Sequence, residues 1–130
     1  MYSLATITPA TTKPAFLTQL VAAHLDDERV RLFLPLRFRS VVLGRVIDVP
    51  EGYECDLASV PRAPLAYWFA GGCADHAAVI HDYLIDTGVL RKTCDAVFWE
   101  AMGVSGVPWW RRAPMWAAVR VYGAIAGVFS

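Results

Sequence analysis

The feature that most constrains this chain is a change of period partway along it. Between Arg29 and Val49 two stretches alternate apolar and polar residues. Arg29-Val30-Arg31-Leu32 opens the pattern, Leu36-Arg37-Phe38-Arg39-Ser40-Val41 repeats it, and Val42–Val49 is β-branched around Gly44. Period-two alternation is the signature of strands with one face buried. Phe16–Leu25 would allow a helix by propensity, but Asp26-Asp27 reads as a turn between two runs, so residues 16–49 are read as strands. Pro35 cannot donate to a ladder and marks an edge or a break. Pro50-Glu51-Gly52-Tyr53 is a turn signal. Beyond it the apolar spacing becomes helical, over Ala74–Asp86, Lys92–Met102 and Arg112–Phe129. A helix could also begin near Ser59, with Pro61 in its first turn. Thr87-Gly88 is a stop signal. Strands first and helices after predict one α+β domain: a small antiparallel meander followed by three to four helices.

Length agrees, since 130 residues hold one core and no second. Residues 1–14 (MYSLATITPATTKP) read as an extended arm, and residues 15–130 as the domain with an apolar last helix. Hydrophobic residues make up 56% of the chain and charged residues 18%, with a formal net charge of zero. That excludes a disordered charged tail and argues against specific nucleic-acid binding. It also predicts apolar surface left over for a neighbour. The surplus concentrates in Trp109, Trp110, Trp116 and Tyr122, the expected interface residues, with Gly123 and Gly127 spaced to admit another backbone. No apolar stretch is long enough to span a bilayer; Ala113–Ser130 comes nearest, and Arg120 interrupts it. Neither a basic n-region nor an apolar h-region opens the chain, so no secretory signal is expected. Cys55, Cys73 and Cys94 are too few and too scattered for a disulfide framework. A zinc site from Cys73 and His76 with Cys55 and Cys94 lacks the tight ligand pairs such sites use.

The scarce charges gather in the middle. Asp56, Ser59 and Arg62 share one short stretch; His81 and Asp82 are adjacent on a predicted helix; Arg91 and Asp95 stand four apart on the next. Packing those helices antiparallel could bring Asp56, His81, Asp82 and Asp95 together. Such a set could perform acid–base work, with Asp56, Ser59, His81, Asp82 and Asp95 as candidate catalytic residues. His81, Asp82 and Asp95 could instead ligate a divalent cation, the one cofactor these residues suggest. Equally, the set could be a network neutralised by Arg62 and Arg91 that locks strands to helices, and this is the favoured expectation.

Three ordered stretches carry a resemblance: Asp56-Leu57-Ala58-Ser59-Val60-Pro61-Arg62, Ala77-Ala78-Val79-Ile80-His81-Asp82-Tyr83-Leu84, and Arg91-Lys92-Thr93-Cys94-Asp95-Ala96-Val97-Phe98-Trp99-Glu100-Ala101-Met102. Together they resemble a family of short tailed-bacteriophage and prophage proteins catalogued as a domain of unknown function, over roughly residues 30–123. The resemblance implies a virion or assembly component, made in the host cytoplasm and partnered by other virion proteins or by copies of itself. It implies no reaction. Two functions are therefore expected in order: an accessory structural protein of the tail or neck, assembling through the last helix and the arm, and a metal-assisted hydrolase of host cell wall or a phosphoester.

Overall fold

The computed structural model describes residues 13–25, 29–56 and 75–129, with the backbone alone at 24, 56, 75, 122 and 126–129. Among the described residues six strands precede three helices: β1 (Ala15–Phe16), β2 (Ala22–His24), β3 (Arg29–Leu32), β4 (Leu36–Ser40), β5 (Arg45–Val49), β6 (Glu54–Asp56), α1 (Asp75–Asp86), α2 (Arg91–Val104) and α3 (Trp109–Phe129). This is the α+β class the change of period predicts. The strands form two antiparallel sheets of three, ordered β1-β4-β5 and β2-β3-β6. Pro35 falls at the break between β3 and β4, and the stretch that would tolerate a helix is β1 and β2.

Alternation works as pleated geometry requires. Leu36 and Phe38 of β4 and Ile47 and Val49 of β5 turn inward, as do Val30 and Leu32 of β3. The arginines between them face out and find acids across the ladder. Arg31 lies opposite Glu54 in register, with Nη2 2.7 Å from Oε2, and Arg37 lies opposite Asp48 at 3.4 Å. Exposed pairs of this kind fix register more than they stabilise.

The inner faces of the sheets meet α1 and α2, and α3 packs on α2. Phe38, Ile47, Val49, Ile80, Leu84, Val97, Phe98, Met102 and Met115 form one continuous core. Helix α1 stops where the sequence says it should. The amide of Val89 bonds to the carbonyl of Leu84 and that of Gly88 to Ile85, with Gly88 at φ +86°. This is the left-handed closure that glycine makes without strain. Helix α3 begins at Trp109, before the expected Arg112, because the Pro108 carbonyl accepts the amides of Arg111 and Arg112 and nucleates an earlier turn. Pro114 therefore sits inside the helix, where the carbonyl of Trp110 loses its helical donor. No helix among the described residues is long and apolar enough to cross a membrane.

Candidate functional site

Among the described residues three polar clusters hold elements together. The first lies where the helices meet. His81 of α1 and Asp95 of α2 are both buried, and His81 Nε2 stands 2.6 Å from Asp95 Oδ1. The second carboxylate oxygen, Oδ2, accepts Nη1–H of Arg120 from α3 at 2.9 Å. One carboxylate thus joins three helices. Phe98 walls the imidazole at a ring distance of 4.9 Å. A buried carboxylate is tolerable only when its oxygens are satisfied by donors of opposite charge or polarity. Here Nε2–H and a guanidinium do so.

The second cluster joins sheet to helix. Tyr53, after the β5–β6 turn, places its hydroxyl 2.7 Å from Asp82 Oδ2 and 2.7 Å from Asp86 Oδ2. The two aspartates are one helical turn apart and so share a face of α1. The phenol carries one proton, so it donates to one carboxylate at a time. Burial first, and then the hydrogen bonds and charges of Asp82 and Asp86, hold the Tyr53 phenol well above its ordinary titration range. Tyr83 packs edge-on against Tyr53 at 5.3 Å.

The third cluster closes the β4–β5 turn. Glu100 of α2 accepts the Ser40 hydroxyl at 2.7 Å on Oε1, and the amides of Val41 and Val42 at 2.8 and 3.2 Å on Oε2. Ser40 Oγ in turn accepts the amide of Leu43 at 3.0 Å. On α1, His76 Nε2 accepts the amide of Leu20 at 3.3 Å, which ties that helix to the segment after β1.

Of the residues the sequence nominates, the structure brings His81 and Asp95 together and turns Asp82 to a different partner, Tyr53. Among the described residues no group of three or more His, Cys, Asp or Glu side chains converges as a metal site would. The backbone of Asp56 lies in β6, opposite Arg29, and its side chain lies outside the described residues, as do Ser59, Arg62 and Cys73. Cys55 and Cys94 are buried free thiols. Burial, reinforced by the charge of Asp95 and opposed by that of Arg91, pushes the Cys94 thiol up to about 11, the behaviour of an unreactive core cysteine. The His81–Asp95–Arg120 cluster joins helix to helix, while the Tyr53 and Glu100 clusters join strand segments to helices; Arg62 of the expected network lies outside the described residues. The guanidinium on Asp95 comes from Arg120. The methylenes of Arg91 instead cross α3 at Gly123, where a Cβ would lie 2.6 Å from Arg91 Cδ. This corrects the reading of Gly123 as an approach for a foreign backbone: the chain's own arginine fills the space. Gly127 lies outside the described side chains.

Sequence reasoning passes over Arg120, Tyr53 and Glu100. Arg120 leaves a signal, being the lone charge in the apolar run from Ala113 to Ser130. Tyr53 and Glu100 leave none, because their partners lie 29 and about 60 positions away.

The expected interface residues divide. Trp109 and Trp110 are 68% and 57% exposed. Trp116 is partly covered by Trp99, which meets it edge-on at 6.2 Å while the Arg112 guanidinium lies 4.8 Å over the Trp99 ring. The side chain of Tyr122 lies outside the described residues. Along α3 the stripe Trp110, Pro114, Ala117, Val121 and Ala124 is exposed throughout and carries no charge, and Ile125 extends it. Spacings of four and three keep those residues on one side of a helix.

No curated protein and no solved structure matches the chain. A family model described as a protein of unknown function (DUF1353) matches residues 30–119. That span runs from β3 through about half of α3 and takes in His81, Asp95, Tyr53 and Glu100, with Arg120 one residue beyond. Covering well over half of the sequence, the match places the chain in the DUF1353 family.

Proposed function

We propose that the chain is a non-enzymatic accessory component of a tailed-bacteriophage particle, docked at the tail or neck through the outer face of α3 together with the segment before β1. The observation that carries this reading is the uncharged stripe from Trp110 to Ile125, in which Val121 and Ile125 remain 59% and 53% exposed. A small domain rarely leaves so continuous an apolar helix face to water unless another surface covers it. The resemblance of the three ordered stretches to phage proteins supplies the setting. Among the described residues, His81, Asp82, Asp95 and Glu100 are engaged in fastening helices and turns. Incorporation into particles tests the reading. The protein should co-purify with assembled particles, and Val121→Glu/Ile125→Glu should fold but be depleted from them about tenfold or more, as expected for burying charge in an apolar interface. Particles that never contain the wild-type chain would refute it.

One observation favours a hydrolase as the second reading: an imidazole oriented by a buried carboxylate, the arrangement that sets the tautomer of catalytic and metal-binding histidines. Turnover of peptidoglycan or a phosphodiester in the presence of Mg²⁺, Mn²⁺ or Zn²⁺, abolished by His81→Ala in protein that still folds, would establish it. The same assay without turnover would leave the imidazole as part of the lock.

A further inference from the structure

Beside the apolar stripe lies a hollow of about 460 Å³ walled by Val42, Ala96, Trp99, Glu100 and Trp116. Its surface is almost wholly apolar. Glu100, the one charged residue among the described wall residues, already accepts three donors from the β4–β5 turn, so it offers little to a cation or a sugar. The occupant that fits is an uncharged, apolar stretch of chain.

We propose that the hollow is the seat of the chain's own residues 1–12. Register directs them there. Ala15 pairs with Arg39 and Phe16 with Phe38, so the path back from Ala15 runs alongside Ser40 and on toward Val41. Arg39 Nη1 holds the carbonyl of Lys13 at 3.5 Å, which fixes that exit. Val42, on the rim of the hollow, is one residue further along, and α2, which forms its floor, packs against β1. An extended chain reaches about 20 Å over six residues, ample for Ile7 to enter from Lys13. Residues 1–12 (MYSLATITPATT) contain no charged side chain and carry Tyr2, Leu4 and Ile7 as apolar anchors. A short tether supplies a local concentration in the millimolar range, which a second copy would have to match in free solution. Seated there, the segment covers Trp99 and the exposed side of Trp116 and continues the apolar face of α3.

The full-length chain carrying p-benzoylphenylalanine at Leu4 or at Ile7 tests this. Equal amounts of isotopically heavy and light protein are mixed, irradiated and mapped by mass spectrometry. Cross-links from either position to residues 41–42, 96–100 or 116, joining light to light and heavy to heavy, are expected. Mixed heavy–light products would show a second copy seated in the hollow and would overturn the assignment, as would cross-links elsewhere or none. Ile7→Asp should lower the yield from position 4 about tenfold, the loss of one well-buried apolar side chain; an unchanged yield would equally refute the seat. The readout is intramolecular in the purified chain, so it fails or succeeds separately from incorporation into particles.

Discussion

Helix α3 has two sides that break the usual arrangement of proteins in opposite directions. Its inner side sends Arg120 to a carboxylate that is completely buried, and that carboxylate also holds His81. Its outer side, which includes the very next residue, Val121, presents an apolar stripe to solvent. Charge inside and hydrocarbon outside are each costly for an isolated domain. The inner cost is offset within the molecule by three-way pairing. The outer cost has no counterpart among the described residues. The inner side therefore explains how the helices are fastened, and the outer side is the face proposed to dock.

Substitutions sort the two sides by what they damage. Asp95→Ala should have the largest effect. It leaves His81 and Arg120 facing an apolar site without their acceptor and should cost about 3–5 kcal/mol in urea denaturation. A cost below about 1 kcal/mol would mean that the inner cluster fastens nothing. His81→Leu/Asp95→Leu sharpens the same point, since replacing both buried partners should cost less than the sum of the single changes. Gly123→Ala comes next. A methyl there meets the stem of Arg91 and should cost about 1–3 kcal/mol by overpacking, read from the same denaturation curves.

Tyr53→Phe removes a donor to Asp82 and Asp86 and should cost about 1 kcal/mol. The pH dependence has a definite sign. Tyr53 and Cys94 both have folded-state titrations raised above the unfolded ones, so the stability each contributes is fully present below its unfolded value and is lost as pH rises. For Cys94 the loss should run from about 9 toward about 11, and for Tyr53 it should begin near 10. Melting temperatures across pH 8 to 11 would measure it, with Tyr53→Phe and Cys94→Ala each flattening the fall. Val121→Glu should have the smallest effect on folding, within about 0.5 kcal/mol, because the site is open to water. A large destabilisation by Val121→Glu would erase the contrast between the two sides of α3.

Much of the fold is legible without coordinates because its signals are local. The alternation in Arg29–Leu32 and Leu36–Ser40 sets which residues face the core, and Gly88 ends α1 through its own backbone geometry. The division of the strands between two sheets is not legible: β1 pairs with β4 and β3 with β6, across intervals no local pattern encodes. The site divides likewise. That His81 and Asp95 meet follows from packing two adjacent helices antiparallel. The sequence cannot rank Arg62, Arg91 and Arg120 as partners of Asp95, because all three are the same chemical group at different distances along the chain.

By itself the sequence determines the order of strands and helices, their inward faces and the excess of apolar residues in the last helix. Periodicity and turn chemistry act over a few residues and need no partner. Only the tertiary structure decides that Arg120 turns inward while Val121 and Ile125 turn out, that Arg91 fills the notch at Gly123, and that Glu100 is consumed by a turn. Each of those outcomes depends on how α1, α2 and α3 cross. Once a core has closed, a side chain's surroundings are set by neighbours distant in sequence.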